Sequence, residues 1–207
     1  MRRPMLIVLF IAVVVAGVMA PGIVSAETKN SVNLGVGGLI APDLTASAFF
    51  VEYERMIGSR IAVLGRGGGV NYTFDNDTYR EEGKPKGVDI GVRAYPGGDG
   101  AMKGLFVGGA IGWWKTDWTF IDDQGKSYES HGKGDSSAIR ADLEIGGRFM
   151  LGNSPVSLMP AFHLGHFFSS SNSCSYTAPA SRVGTTCDKT SEVGFYSFLV
   201  VTVGIGF

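Results

Sequence analysis

Two histidines, two cysteines and a scattered set of alternating charges offer the chain its chemistry. His163 and His166 lie just ahead of Ser169 and Ser170, and an imidazole beside a hydroxyl is the pairing that makes a serine nucleophilic. Cys174 and Cys187 are candidates for a disulfide, for two reactive thiols, or for part of a metal site. A metal site needs further ligands, and no histidine lies close to the pair in sequence. Arg140, Asp142, Glu144 and Arg148 recur at even spacing, and Glu52, Glu54, Asp89 and Arg93 show the same habit elsewhere. Asp75-Asn76-Asp77 and Asp122-Asp123 could offer oxygen ligands, but an EF-hand starting at Asp75 would need Gly and Glu where Arg80 and Lys86 stand. No Gly-x-x-x-x-Gly-Lys-[Ser/Thr] phosphate loop occurs. No cofactor and no metal are expected.

Period two governs the elements that carry these residues. About eight alternating segments are expected, near 31–40, 47–56, 59–72, 87–95, 105–118, 138–150, 156–167 and 192–207. In the sixth, Ile139, Ala141, Leu143, Ile145, Gly147 and Phe149 share one face, while Arg140, Asp142, Glu144, Gly146 and Arg148 share the other. By the same count His163 shares a face with Ala161 and Gly165, and His166 lies on the opposite one. The last segment places Leu199, Val201, Val203, Ile205 and Phe207 on one side, against Thr202, Gly204 and Gly206.

The beginning of the chain reads as an export signal. Arg2 and Arg3 precede an apolar run from about Met5 to Ala20, Pro21-Gly22 breaks it, and Val24-Ser25-Ala26 has the small residues of a cleavage site. Cleavage after Ala26 would leave one domain, residues 27–207. Residue 27 is Glu, not Cys, so no lipid anchor is expected. The whole chain carries a formal charge of −1; losing Arg2 and Arg3 makes it more negative, and no nucleic-acid partner is implied. The 31 glycines follow no collagen period.

Alternation alone does not say which face is inside. Strands of about ten residues suit a tilted bilayer crossing. The connections alternate short and long, and Trp113, Phe149 and Phe207 sit near the ends of apolar faces, where interfacial girdles lie. These features favour an inverted barrel, with Ile and Leu in lipid and the charges in the lumen. In lipid an unpaired strand edge costs several kcal/mol per group, so the sheet must close. The fold class expected is all-β, a closed eight-stranded antiparallel up-and-down transmembrane barrel. Eight strands leave a bore that side chains can fill. Glu52, Glu54, Asp89, Arg93, Arg140, Asp142, Glu144 and Arg148, with Arg66, should therefore pair into a plug. A narrow solute pore gated by that ladder is the alternative.

With its terminal Phe207 and the alternating Ile205, Val203 and Val201, the chain resembles the small eight-stranded outer-membrane proteins of the OmpA transmembrane-domain and OmpX/Ail type. The resemblance covers residues 27–207 and implies an integral protein of the bacterial outer membrane. It implies insertion by the outer-membrane machinery that reads such an ending, contact with lipid and lipopolysaccharide, and a monomer. Because nothing follows Phe207, a periplasmic peptidoglycan-binding domain is not expected. Eight-stranded lipid A deacylases are similar in plan but place His and Ser two residues apart; here Phe168 stands two after His166. A lipid-modifying enzyme using His166 and a loop Ser stays as an alternative to a structural, membrane-integrity or adhesion role.

In this reading the long connections near 73–86, 119–137 and 168–191 face outside the cell, and short turns near 57–58, 96–104 and 151–155 face the periplasm. Cys174 and Cys187 both fall in the last long loop. In an exported protein they are expected to pair, stabilising by about 3 kcal/mol in the chain-entropy model and pinning the Ser169–Ser173 stretch. Lys84, Lys86, Lys126 and Lys133 could meet lipopolysaccharide phosphates or a host polymer, although scattered surface charges need no such role. His131, in the third long connection, has no partner visible in the sequence.

Overall fold

Leu143 is 66% exposed while its neighbour Glu144 is 5% exposed, and Ile90 is 71% exposed beside Asp89 at 3%. That inversion organises the whole molecule. The computed structural model describes residues 29–41, 43–97, 100–187 and 194–207; the signal segment expected over 1–26, with the cleavage expected after Ala26, lies outside them. Eight strands follow in order: β1 (Asn30–Ala41), β2 (Leu44–Met56), β3 (Ile61–Asp75), β4 (Tyr79–Ala94), β5 (Gly104–Asp122), β6 (Ser130–Met150), β7 (Val156–Ala178) and β8 (Phe195–Gly206). Each pairs antiparallel with the next, and β1 pairs with β8 to close the barrel. At the near end, where the two terminal strands meet, Asn30 and Phe207 exchange backbone hydrogen bonds of 3.0 and 2.9 Å. No helix occurs among the described residues.

Small residues opposite large ones make so narrow a barrel fillable. Phe50 lies across from Gly35, Trp114 from Gly87, Tyr196 from Gly165, Phe106 from Gly146, and Trp118 from Gly134. A Cβ added at any of these glycines would run into the ring of its partner. Glu144 uses Gly108 and Asp89 uses Gly112 in the same manner. The pairing of glycine with a bulky cross-strand neighbour is thus the packing rule of the lumen.

The outer face is banded. Val88, Trp113, Ile139 and Phe168 are successive cross-strand partners and form the last apolar row. The row beyond it is Lys86, Lys115, Ser137 and Ser171, again in register. Below this boundary the large exposed side chains are mostly Val, Ile, Leu and Phe, with Tyr53 among them, the surface that a barrel presents to lipid. Above it the wall continues as strand, with Lys84, Asp117, Lys133 and Asp135 outward.

The far-end connections are shorter than the sequence suggests. Where long loops are expected at 73–86 and 119–137, β3–β4 and β5–β6 are extended hairpins turning at 76–78 and 123–129. Likewise β7 runs through Ser169–Ser173 to Ala178. Above the apolar band the outward residues turn polar, so the hydrophobic alternation that marks a strand disappears although the backbone ladder continues. A bulge at Ser170 complicates β7 further: Ala138 pairs with Ser169 and Ser137 with Ser171. The extra residue reverses the in–out count, so that Cys174 points inward although Phe167 does too.

Candidate functional site

Four guanidinium groups and five carboxylates meet at the waist of the barrel. Arg66 donates to Glu52 at 2.8 Å, Glu144 at 2.8 Å and Asp142 at 3.3 Å. Arg93 donates to Glu144 at 2.7 Å, Glu54 at 2.8 Å and Glu52 at 3.0 Å. Arg148 donates to Glu54 at 2.8 Å and to the side-chain amide oxygen of Asn33 at 3.2 Å. Arg140 lies 3.1 Å from Asp89 and 3.3 Å from Asp142. Neutral donors meet further carboxylate oxygens: Tyr95 to Glu54 at 2.8 Å, Tyr196 to Asp142 at 2.9 Å, and Trp114 to Asp89 at 2.7 Å. His163 Nδ1 sits 2.8 Å from Asp142. All nine charged groups are buried, where a charge is tolerated only if it is paired and its other polar atoms are bonded.

Alternation puts these charges on the inner face, but the sequence leaves their partners unnamed. The donors Tyr95, Tyr196, Trp114 and Asn33, whose side-chain amide donates to Glu52 at 3.0 Å, carry no charge signal of their own; only their inward parity could have found them. Asp142, Glu144 and His163 bring ligand atoms within 4.8 Å of one another. Arg66 and Arg93 already occupy the Glu144 carboxylate, and Arg66, Arg140 and Tyr196 already occupy Asp142.

The waist has different neighbours on its two sides. Toward the near end an apolar plug of Met56, Tyr95, Met102, Phe106 and Met159 is packed shut. Toward the far end lies a cavity of about 220 Å³, floored by Arg140 and walled by Leu39, Ala46, Val70, Phe167, Tyr196 and Phe198. Beyond it Trp118 and Phe120 pack against Cys174, with Tyr79 and Tyr176 alongside. Glu81 is buried in this upper region and accepts from Tyr79 at 2.6 Å and from Tyr72. It escapes a sequence reading because its stretch resembles a loop, although Glu81, Gly83, Pro85, Gly87 and Asp89 continue one inward face.

Cys174 and Cys187 form a disulfide with Cα atoms 5.3 Å apart. Cys174 belongs to β7 and not to a loop, which corrects the expectation that both lie in one. The bond anchors the returning segment: Tyr176 N–H donates to Thr185 O at 3.0 Å and Cys187 N–H to Cys174 O at 3.2 Å. Replacing both cysteines by Ala should cost about 3 kcal/mol if chain entropy dominates. It should also open residues 179–187 to limited proteolysis, with the belt-spanning strands left intact on a gel. Cleavage no faster than in the native protein would show that backbone pairing alone holds the segment.

His166 does point outward, its ring 4.5 Å from that of Phe168 and 4.4 Å from that of Phe195. Among the described residues its Nδ1 has no hydrogen-bond partner; the side chains of Ser169 and Ser170 are not among them. His131 is not alone, since its Nε2 lies 2.7 Å from Glu129. The Gly125 backbone N–H, and then His131, hold the Glu129 carboxyl below its ordinary range at this exposed tip. On β8, Leu199 and Ile205 face outward and are well exposed, and Thr202 faces the lumen.

No known family model matches the chain, and no curated protein matches it. Among solved structures it is similar to a major outer membrane protein of Thermus thermophilus, with a TM-score of 0.54 and 13% identity over 86% of this chain and 99% of that one. It is also similar to Ail, the attachment invasion locus protein of Yersinia pestis, with a TM-score of 0.52 and 10% identity over 88% of this chain and 100% of that one. At such identities the likeness is one of fold. Closed wall, lipid-facing belt and fold are those of a small integral outer-membrane barrel.

Proposed function

We propose that this barrel is a surface component of the outer membrane whose rim holds lipopolysaccharide phosphates and whose far end faces outside, in a membrane-integrity or surface-interaction role. The observation that supports this reading is the first polar row. Lys86 and Lys115 stand directly opposite each other there, with the Lys115 ammonium 5.1 Å from the Trp113 ring centroid. Like charges directly opposed on a sheet are unfavourable, and an anionic headgroup between them removes the repulsion. Lys115 joins the rim cations expected from the sequence; its cue is its place two residues beyond the interfacial Trp113. The 27–207 domain and the cleaved leader belong to this proposal, as does a monomeric barrel inserted by the outer-membrane machinery.

Sealing of the waist by paired charges favours this role over a pore. The lipid-modifying alternative needs a base oriented by a third group, and among the described residues none bonds the Nδ1 of His166. Sharing a fold with an attachment protein does not itself carry function across. The test compares thermal unfolding of the native barrel and of a Lys86→Glu/Lys115→Glu variant in vesicles with and without lipopolysaccharide. Lipopolysaccharide should raise the midpoint of the native protein by several degrees and leave that of the variant unchanged. Equal increments in both would overturn the rim assignment.

A further inference from the structure

Exposed charge is sorted along the barrel. Across the apolar belt no exposed side chain among the described residues carries a formal charge. Beyond its far boundary the signs are mixed: Lys84 stands opposite Asp117, Asp117 opposite Asp135, and Arg80 pairs with Asp75 and Glu82. The near end is different. The exposed charged side chains there are Lys29, Arg55, Arg60 and Lys103, all positive. Glu27 and Asp99 lie outside the described residues; even with both counted, four cations outnumber two acids.

The four cations form one crescent. Asn30 pairs with Arg55 across β1 and β2, and Met56 N–H donates to Lys29 O at 2.8 Å, so Lys29 and Arg55 end neighbouring strands. Arg60 leads into β3. Tyr95 N–H donates to Arg60 O at 2.8 Å and Gly100 N–H to Ser59 O at 3.0 Å, which brings the β2–β3 turn against the β4–β5 connection that carries Lys103. The other side of the rim, the 151–155 turn and the end of β8, has no charged side chain. The carboxylate of Phe207 lies beyond Asn30, one strand removed from Arg55. Among the described residues none of the four cationic side chains makes a hydrogen bond, an ion pair or a ring contact.

The surroundings of the cations select the anion. Exposed apolar side chains alternate with them: Tyr53 and Ile57 flank Arg55, Ile61 follows Arg60, and Leu105 lies two residues after Lys103. A long cationic side chain with its stem along an apolar wall holds its charge at headgroup height. Arg55 also extends the lipid-facing column Phe49, Val51 and Tyr53 of β2, so the crescent continues the belt. A soluble acidic partner would need no such apolar support. Each basic residue beside an anionic membrane surface favours the charged lipid by roughly five-fold.

We propose that the crescent of Lys29, Arg55, Arg60 and Lys103 binds the phosphates of anionic glycerophospholipids in the leaflet at the near end, on the β1–β5 side of the barrel alone. With the far end outside, as proposed above, that leaflet is the inner one, and the barrel holds a different anionic lipid at each rim. The assignment to the inner leaflet rests on that reading. The lipid preference does not, and it is tested without lipopolysaccharide.

The ¹⁵N-labelled barrel is folded in phosphatidylcholine nanodiscs holding a trace of phosphatidylglycerol or of phosphatidylcholine, each spin-labelled on the acyl chain close to the headgroup. The amides of Gly58 and Gly104 report the crescent, and that of Gly152 reports the uncharged turn on the other side. Labelled phosphatidylglycerol should broaden Gly58 and Gly104 about five-fold more than labelled phosphatidylcholine, while Gly152 responds equally to both. High salt should remove the difference in the native protein. Changing all four cations to Gln should remove it too, and Arg55→Lys with Arg60→Lys should retain it, folding being checked by heat-modifiable mobility. Lys86→Glu/Lys115→Glu should leave it in place. Equal broadening by the two lipids at Gly58 and Gly104 overturns the proposal and leaves the crescent to a soluble acidic partner. So does an excess at Gly152 as large as at Gly58, one that survives high salt or neutralisation of the four cations, or one that vanishes when the rim lysines are changed.

Discussion

Replacing Arg93 by Ala should destabilise the folded barrel by about 3–5 kcal/mol, the loss typical of stranding a buried charge partner. Arg93 is the hub of the waist: it binds Glu144, Glu54 and Glu52 and places its guanidinium 4.5 Å from the centroid of the Phe106 ring. Its removal leaves Arg66 and Arg148 to hold three carboxylates, all buried. Urea unfolding in lipid vesicles, followed by tryptophan emission, measures the loss. Arg93→Met combined with Glu144→Gln should cost clearly less than the two single changes added together, because contacting members of one network are not additive. Arg93→Lys should recover only part of the stability, since an ammonium keeps the charge but loses the fork that bonds three carboxylates at once. A loss below about 1 kcal/mol for Arg93→Ala, the range of solvent-exposed pairs, would mean that water reaches the waist. The lumen would then be open and the pore reading would return.

Leu143→Arg is the counterpart on the other face, and it should cost about 2–4 kcal/mol if the side chain lies near the bilayer midplane. Leu143 is 66% exposed, so a water-soluble barrel would accept Arg there almost without penalty. The same substitution at Asp135, above the last apolar row, should change stability by less than about 1 kcal/mol because it meets water and headgroups. The contrast between the two positions reads the height of the lipid belt directly. Similar small effects at both would leave the exposed Leu, Ile and Val rows unexplained.

Strand count, closure and the two faces of the wall were legible because alternation within one strand is a local signal. Leu143 and Ile145 on one side and Asp142 and Glu144 on the other need no knowledge of the neighbours. The far-end hairpins were not legible for a physical reason. Outside lipid the outward residues become Lys, Asp and Ser, and the inward ones are glycines whose bulk is supplied from across the ladder. Gly87 makes sense only with Trp114, and Gly134 only with Trp118; that information lies between strands. The bulge at Ser170 hid the inward aim of Cys174 for a similar reason, since one unpaired residue reverses every parity after it.

The site was legible to the same extent. The charged members could be read from parity, but the neutral donors that complete their bonding could not. The cavity above Arg140 is lined by side chains from several strands at once, and how they meet across the bore is set by packing that no single strand encodes.

Adjacent native tryptophans give the most direct test of the inverted barrel. Trp113 is 50% exposed in the last apolar row, while Trp114 is 3% exposed and bonded to Asp89. With Trp118→Phe and either Trp114→Phe or Trp113→Phe, each indole is left as the only one of the chain's three. Fluorescence is then compared in vesicles with plain and with brominated acyl chains. Strong quenching of Trp113 and little of Trp114 is the expected result. Equal quenching of both, or of neither, would contradict a lipid-facing outer wall around a sealed lumen.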